Sequence, residues 1–364
     1  MVDAIQGACY IAREHIKEAA ALKKTALLAL LLCLVCLMAG AEGLVLSFVG
    51  DCSIGEMASA AGRPGTYTHT VDEKGPDWPF SLVREYLEGD DFTFANLEVV
   101  FTQYKKHVNK RIPLRADPKY AQVLLHSGID AVNTANNHCM DFYEKGYLET
   151  IQTLDALPLP HFGTTQMRED AAHDRLLLTS VKDVLIGAVG VSYPQEKDAP
   201  AIISRVQKLK DQGARLVIVS LHWGKELTKQ PQAWQHRLAS QLIDGGADVI
   251  WGHHPHILQP IHVYQGKPIF YSTGNFTFGS MSKVDPDTGI FQLKYSLADD
   301  GQPRLSQINV IPCRTQGKGD YRPIPLTDEK DIQTLYKKLS HTRQIKDMLN
   351  PPDAFFTSGI WVIE

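Results

Sequence analysis

Residues 249–256 read Val-Ile-Trp-Gly-His-His-Pro-His, an apolar run that ends in three histidines. The same arrangement occurs at residues 216–222, where an apolar run ends in His222, and at residues 44–51, where one ends in Asp51. Short apolar runs of this kind are typical of interior strands that are covered on both faces. Because ligands bind outside the carboxyl ends of strands in open α/β sheets, these runs predict one shared site at that edge.

Along the chain, apolar runs alternate with amphipathic segments, which indicates an α/β fold with a sheet covered by helices. The predicted strands are residues 44–49, 92–95, 131–134, 184–189, 216–220 and 249–251. The predicted helices are residues 118–127, 144–157, 199–212 and 232–245. From Ile261 the pattern changes to antiparallel hairpins, and a charged helix is predicted from Asp328 to Leu349.

Composition excludes some classes of partner. The 364 residues are 44% hydrophobic and 21% charged, which is ordinary for a globular protein with a large core. The net charge is −4 and the basic residues are scattered, so no nucleic-acid partner is expected. Three cysteines beyond residue 40 make no disulfide framework, and Cys52 and Cys139 are either small buried thiols or close neighbours in space.

The N-terminal segment carries an export pattern. Lys23-Lys24 precede an apolar run at residues 26–38, which ends in Ala39-Gly40-Ala41. This run is shorter than the roughly 20 residues that span a bilayer, which favours a cleaved signal peptide. The long basic segment before it favours a retained membrane anchor instead. Either reading predicts an extracytoplasmic protein that is membrane-anchored or secreted.

Side chains that bind metals or move protons follow five of the predicted strands. Taken singly, each has an ordinary explanation: Asp51 as a turn residue or helix cap, Glu98 as a solvated charge, His222 as an interior histidine. The histidines of residues 253–256 are harder to explain by packing, because three buried imidazoles are costly unless they are used. The spacing of His254 and His256 predicts that both rings lie on one side of an extended segment.

Carboxylate, carboxamide and imidazole groups are ligands for borderline divalent ions such as Mn, Fe or Zn. One or two such ions are predicted. Two ions roughly 3.5–4 Å apart can clamp a phosphoryl group while a nearby histidine protonates the leaving group.

Six short runs resemble, in order and spacing, the CapA family of bacterial capsule and poly-γ-glutamate synthesis proteins. They lie within residues 44–278 and are Gly50-Asp51, Asn96-Leu97-Glu98, Ala135-Asn136-Asn137-His138 with Asp141, His222-Trp223-Gly224, Gly252-His253-His254-Pro255-His256 and Tyr271-Ser272-Thr273-Gly274-Asn275-Phe276. The resemblance implies a metallo-dependent phosphatase-like fold, a four-layer α/β/β/α sandwich distantly related to calcineurin-like phosphoesterases. It also implies association with polymer synthesis or export at the cell envelope.

The resemblance assigns roles to individual residues. The implied metal ligands are Asp51, Glu98, Asn137, His222, His254 and His256. His138 resembles the histidine that acts as general acid, and Asn96, His253 and Asn275 are expected to support these ligands or to bind substrate. The first strand departs from the phosphoesterase pattern because position 53 is Ser instead of His, and Glu98 replaces a shorter Asp. One metal position is therefore expected to be weakened or missing.

The resemblance also divides the chain. Residues 1–41 are expected to be the signal peptide or N-terminal anchor, residues 42–325 the CapA-like domain, and residues 326–364 a C-terminal helix and tail that pack on it. Two functions are compatible with this division. The first is a metal-dependent hydrolase acting on a phosphoester, or on an amide or ester of an envelope polymer. The second is a non-catalytic, membrane-anchored subunit that holds poly-γ-glutamate for a polymer synthase complex.

Overall fold

The computed structural model describes residues 43–165, 173–279, 284–297, 300–340, 354–357 and 360–363. The predicted signal peptide or anchor at residues 1–41 lies outside the described residues. Within the described ranges, no helix combines the length and the apolar character that a membrane span requires.

The described strands and helices alternate as the apolar pattern predicts. The strands are β1 Leu44–Ser53, β2 Glu56–Met57, β3 Phe92–Leu97, β4 Val100–Phe101, β5 Leu114–Ala116, β6 Ala131–Asn133, β7 His161–Thr164, β8 Asp174–Arg175, β9 Leu177–Val181, β10 Val184–Ser192, β11 Leu216–His222, β12 Val249–His253, β13 Ile261–Tyr264, β14 Lys267–Phe270, β15 Asn275–Phe278, β16 Asp287–Leu297, β17 Pro303–Thr315, β18 Pro323–Pro325, β19 Ala354–Thr357 and β20 Ile360–Ile363. The α-helices are α1 Tyr67–Lys74, α2 Arg84–Leu87, α3 Gln122–Leu125, α4 Tyr143–Asp155, α5 Ala199–Asp211, α6 Ala233–Asp244 and α7 Glu329–Leu339.

Most of the strands form two halves of one curled sheet that are joined through β7, while β2, β5 and β4 form a separate three-stranded sheet. In the first half, β1 pairs in parallel with β3 and β15, and β3 pairs in parallel with β6. β16 pairs antiparallel with β1, and β17 pairs antiparallel with β16. In the second half, β10, β11, β12 and β14 run parallel, and β9 and β13 pair antiparallel at its margins. β7 pairs in parallel with both β6 and β10, so the two halves are continuous.

Three separate apolar cores establish four layers. Between the two sheet halves, Phe48 and Phe94 meet Trp251 with ring centroids 5.5 and 6.3 Å apart. Because side chains alternate along a strand, neighbours of these residues, such as Ala95, point to the opposite face and pack against the helices there. On the far side of the second half, Val219 packs with residues of α5 and α6. The predicted four-layer α/β/β/α sandwich is confirmed.

Two helix predictions are corrected. Residues 118–127 form a 3-10 helix at Pro118–Ala121 followed by the short helix α3. The charged C-terminal helix does not continue from Asp328 to Leu349, because α7 ends at Leu339 and Ser340 is extended. The buried residues of α7 are Leu335, Tyr336 and Leu339, so its apolar face packs up to the last residue of the helix. Residues 341–349 of the predicted helix lie outside the described residues.

The cysteine alternative is resolved in favour of buried thiols. Cys52, Cys139 and Cys313 are each buried and free. Burial raises the pKa of the Cys139 thiol to about 12, so the group stays protonated and unreactive at neutral pH.

Candidate metal centre

The carboxyl ends of neighbouring strands bring all the predicted metal ligands to one edge of the sheet. Asp51 lies within β1, which extends beyond its predicted end, and Glu98 follows β3 directly. His222 ends β11, while His254 and His256 follow β12. The loop after β6 contributes Asn137 and His138.

Glu98 is the centre of this cluster. Its side chain is fully buried, and neither carboxylate oxygen has a hydrogen-bond partner among the described residues. The Nε2 atoms of three histidines surround Oε1: His138 at 3.6 Å, His256 at 3.8 Å and His222 at 3.9 Å. These distances are too long for hydrogen bonds. The distances from His256 and His222 match ligand atoms that share one ion, which lie roughly 3–4 Å apart when each bond is about 2.0–2.2 Å, and His138 lies beside them.

The electrostatics of Glu98 also favour a bound cation. Burial, and then the nearby charge of Asp51, raise the pKa of Glu98 well above its ordinary value. A buried carboxylate without hydrogen bonds is unfavourable in its charged form unless a cation accompanies it. The residues around Glu98 therefore fit a divalent cation.

Asp51 lies beside Glu98 and is held by four contacts. Its Oδ1 accepts a hydrogen bond from Asn96 Nδ2 at 2.8 Å and lies 3.0 Å from His253 Nδ1. Its Oδ2 accepts one from the backbone N–H of His254 at 3.3 Å and lies 3.4 Å from His256 Nδ1. Burial raises the pKa of Asp51, but the contacts with His253 and His256 outweigh it and hold the pKa well below its ordinary value. Asp51 is therefore an ionised carboxylate.

A buried chain of amides orients Asp51. Asn133 Nδ2 donates to Asn96 Oδ1 at 2.8 Å, and Asn96 in turn donates to Asp51. Gly190 allows this chain to form, because a Cβ there would lie 2.0 Å from Asn133 Oδ1. The sequence analysis did not identify Asn133. The available clue was an amide within the short buried strand β6, whose side chain requires a partner.

The three predicted substrate or supporting residues lie at different depths. Asn96 and His253 are fully buried behind Asp51, which they contact directly. Asn275, in β15, lies closer to the pocket, and its Oδ1 is 2.9 Å from His256 Nδ1. That contact and Asp51 fix the ring of His256 so that its Nε2 faces Glu98.

His138 is oriented by an acidic partner. Its Nδ1 donates to Asp141 Oδ2 at 2.6 Å, so its Nε2 is directed towards Glu98 and the pocket. Asp141 is fixed by Lys110 Nζ at 3.0 Å and by the backbone N–H of Leu114 at 2.8 Å. Burial lowers the pKa of His138, although the hydrogen bond to Asp141 opposes this. Lys110 lay outside the sequence prediction because only the fold brings its loop to Asp141.

His254 and His256 are brought together by a turn, which corrects the predicted extended segment. β12 ends at His253, and His254 and His256 have left-handed φ angles of 92° and 57°. Such angles are unfavourable for residues other than glycine, and they are often found at functional sites. The two ring centroids lie 5.9 Å apart.

The protonation states of these histidines differ. Burial, and then the charge of His256, lower the pKa of His254 to about 4, which leaves a neutral imidazole with a free lone pair. Burial also lowers the pKa of His222 well below its ordinary value. For His256 burial is outweighed by Glu98 and Asp51, which raise its pKa to about 10. Neutral imidazoles are the form that binds metals, so His254 and His222 are already in that form, whereas His256 must release its proton when an ion binds.

A pocket of about 330 Å³ opens directly onto the cluster. Its wall includes Lys110, Asn137, His138, Glu226, His256 and Asn275. Two groups here have ligand atoms within 4.8 Å of one another, namely Asp51, Glu98 and His256, and Glu226, His254 and His256. The sequence analysis did not identify Glu226, because an exposed glutamate in a loop has the pattern of any solvated charge.

A larger pocket of about 460 Å³ lies beside Glu56 and Arg115, away from these histidines. Glu56 accepts hydrogen bonds from Gly62 N and Thr68 Oγ1 on one oxygen and from Thr68 N on the other. Its carboxylate is thus already satisfied by the protein, and this pocket offers none of the ligand chemistry found around Glu98.

Comparison with known proteins supports the family resemblance that the six sequence motifs indicated. The model of the family described as "Bacterial capsule synthesis protein PGA_cap" matches residues 45–280. The chain is 30% identical over 320 residues to the capsule biosynthesis protein CapA of Bacillus anthracis, covering 82% of this chain and 73% of the relative. It is also 30% identical to the PGA biosynthesis protein CapA of Bacillus subtilis, covering 83% and 80%. A probable polyglutamine synthesis accessory protein of Mycobacterium tuberculosis is 26% identical, covering 75% and 79%.

Solved structures with a similar trace include the Haemophilus influenzae NAD nucleotidase, with a TM-score of 0.43 and 12% identity over 81% of this chain and 62% of that one. A 5'-nucleotidase precursor from Thermus thermophilus has a TM-score of 0.44 and 13% identity over 84% and 57%. This chain thus spans less than two thirds of either solved chain. The match of the family model over most of the sandwich, together with the two CapA relatives, shows that this chain belongs to the PGA_cap family of bacterial capsule synthesis proteins, the CapA family.

Proposed function

We propose that this protein acts outside the cytoplasmic membrane in the synthesis or export of capsule polymer or poly-γ-glutamate, as a metal-dependent hydrolase. It binds one or two divalent metal ions, and the metal is Mn, Fe or Zn. The substrate is a phosphoester, or an amide or ester of an envelope polymer, and subunits of a membrane polymer synthase are its partners.

One observation carries the proposal. Glu98 is a fully buried carboxylate that has no hydrogen bond among the described residues, and three imidazole nitrogens surround it at 3.6–3.9 Å. A purely structural role would satisfy this carboxylate with hydrogen-bond donors, as the protein does for Glu56. Donor atoms that converge without bonding one another are what a cation site requires.

The residues of the site would have separate roles in metal binding, proton transfer and orientation. Asp51, Glu98, Asn137, His222, His254 and His256 would hold the ions. Such an ion, when bound, polarises a phosphoryl or carbonyl oxygen of the substrate and activates a water molecule. His138 would take up a proton at Nε2, which faces the pocket, and deliver it to the leaving group, while Asp141 stabilises the charged ring and keeps its orientation. Asn96, Asn133 and His253 keep Asp51 in place behind the reacting atoms.

The second candidate function is a non-catalytic, membrane-anchored subunit that binds the polymer for a synthase complex. Position 53, which is a histidine in phosphoesterases, is Ser53, and its buried hydroxyl has no hydrogen-bond partner among the described residues. One relative is itself named an accessory protein. These two facts favour binding without turnover.

Metal analysis and an activity screen separate the two functions. We expect the purified protein to contain one or two equivalents of Mn, Fe or Zn, and the His254→Ala/His256→Ala variant to lose them because two ligands are removed. We expect hydrolysis of a phosphoester or a γ-glutamyl amide that stops with chelator and returns with metal. Bound metal without hydrolysis of any substrate in the panel would favour the accessory subunit, and absence of metal would refute the metal centre.

Location is tested by a fusion. The basic and apolar pattern at residues 23–41 predicts export, so a reporter that is active only outside the cytoplasmic membrane should be active when fused after Glu364. A matched fusion that lacks residues 1–41 should be inactive outside. Activity of the full-length fusion only with a cytoplasmic reporter would contradict an extracytoplasmic location.

A further inference from the structure

Glu226 lies in the loop after β11 and faces two histidines across the pocket. One of its carboxylate oxygens and one nitrogen each of His254 and His256 lie within 4.8 Å of one another. Glu226 is exposed, whereas His254 is only 6% exposed. The three side chains therefore extend from the protein surface to the buried cluster around Glu98.

The backbone holds this loop in place. Trp223 N donates to His253 O at 3.1 Å, and Leu227 N donates to Pro255 O at 2.9 Å. These two bonds bracket Glu226 and attach its loop to the segment that carries both histidines. The loop turns at Gly224, whose φ of 85° favours glycine. These main-chain contacts therefore hold the backbone of Glu226 opposite His254.

His254 has an unused nitrogen at this position. Its Nδ1 is buried without a hydrogen-bond partner among the described residues. Its ring packs edge-on against Tyr193, with centroids 5.3 Å apart, and at a tilt against His222, with centroids 4.8 Å apart. A buried ring that is fixed on two sides and leaves a nitrogen unbonded indicates a missing ligand.

We propose that Glu226, His254 and His256 bind a second divalent transition-metal ion, such as Zn²⁺ or Co²⁺, at a position closer to solvent than the Glu98 cluster. Two imidazoles and one carboxylate form a ligand set that zinc hydrolases and iron(II) enzymes use. His256 belongs to both groups, which places the two positions next to each other. This inference rests on the proposed metal centre and assigns it a ligand, Glu226, in addition to those that the sequence indicated.

A cobalt titration tests the inference on the full-length protein. After treatment with chelator and dialysis, Co²⁺ binding is followed by visible absorption and by metal analysis. We expect two Co²⁺ per wild-type chain and one per Glu226→Gln chain, because the amide keeps the shape and loses the charge. The affinity of the outer position should fall about tenfold or more, since loss of even an indirect partner of a metal ligand costs about 10–100-fold.

Asp183→Asn is the matched control. It also removes one exposed carboxylate, but in the turn before β10, at the opposite end of that strand from the pocket. It should bind two Co²⁺, and Glu226→Asp should recover part of the lost affinity. Melting of all variants in chelator should be equal, because Glu226 is exposed.

The outcomes separate the two proposals. If wild type binds Co²⁺ and Glu226→Gln binds it with the same stoichiometry and affinity, the inference about Glu226 is wrong and the metal centre stands. Absence of Co²⁺ binding by the wild type would overturn the metal centre and this inference with it. If Glu226→Gln melts earlier in chelator and loses both ions, Glu226 has a structural role and the inference is again wrong.

Discussion

Replacing Glu98 with Gln should abolish the stabilisation that Mn²⁺ or Zn²⁺ gives this protein, while leaving the protein in chelator as stable as the wild type or more stable. Glu98 is fully buried and forms no hydrogen bond within the part of the chain that the structure describes. Burial raises its pKa, so its charge is unfavourable without a cation. An ion that binds only the folded state at 100–1,000 times its Kd adds about 3–4 kcal/mol. For a protein of this size the gain is roughly 4–6 °C in Tm.

The measurement is thermal melting of both proteins in chelator and in excess metal. Glu56→Gln is a suitable control, because Glu56 is also buried but its oxygens are hydrogen-bonded to Gly62 and Thr68. That variant should melt earlier in both conditions and keep its response to metal. An equal metal-induced rise in Tm for wild type and Glu98→Gln would refute the cation site at Glu98.

Replacing His138 with Ala should lower the hydrolysis rate by about 10²–10⁴ while the protein keeps its fold and its metal. The geometry gives His138 a role in proton transfer because Asp141 holds its Nδ1 at 2.6 Å and its Nε2 faces the pocket. Rate, metal content and Tm should be measured on the same preparation. His107→Ala is the control, since His107 is exposed, its Nδ1 lies 2.8 Å from the backbone oxygen of Val108, and its ring packs edge-on against Phe142.

Three results are possible for His138→Ala. Loss of rate with normal metal and Tm supports the general acid. A lower Tm with a proportionate loss of function would instead give His138 a structural role. A stable, metal-loaded variant with unchanged hydrolysis and normal capsule yield would contradict the catalytic assignment, and normal polymer binding would then favour the accessory subunit, because only a transition state needs that proton.

The sequence predicted the site well where chemistry and strand position coincide. Asp51, His222 and His254 follow apolar runs, and parallel strands place their carboxyl ends at one edge of a sheet, so convergence follows from the order of elements. Asn133 and Glu226 were missed for a different reason. An amide in a strand and a glutamate in a loop are common residues, and their partners lie in distant parts of the chain.

By itself, the sequence determined the α/β class, the order of strands and helices, and the residue types gathered at the strand ends, because these depend on local periodicity and composition. The tertiary structure alone decided which atoms face one another. Three features depend on strand register and on loops that meet only after folding. They are the left-handed turn at His254 and His256, the hydrogen bonds that Glu56 accepts, and the lack of hydrogen bonds at Glu98 among the described residues. Local sequence cannot encode these distances, since each is set by the packing of segments far apart in the chain.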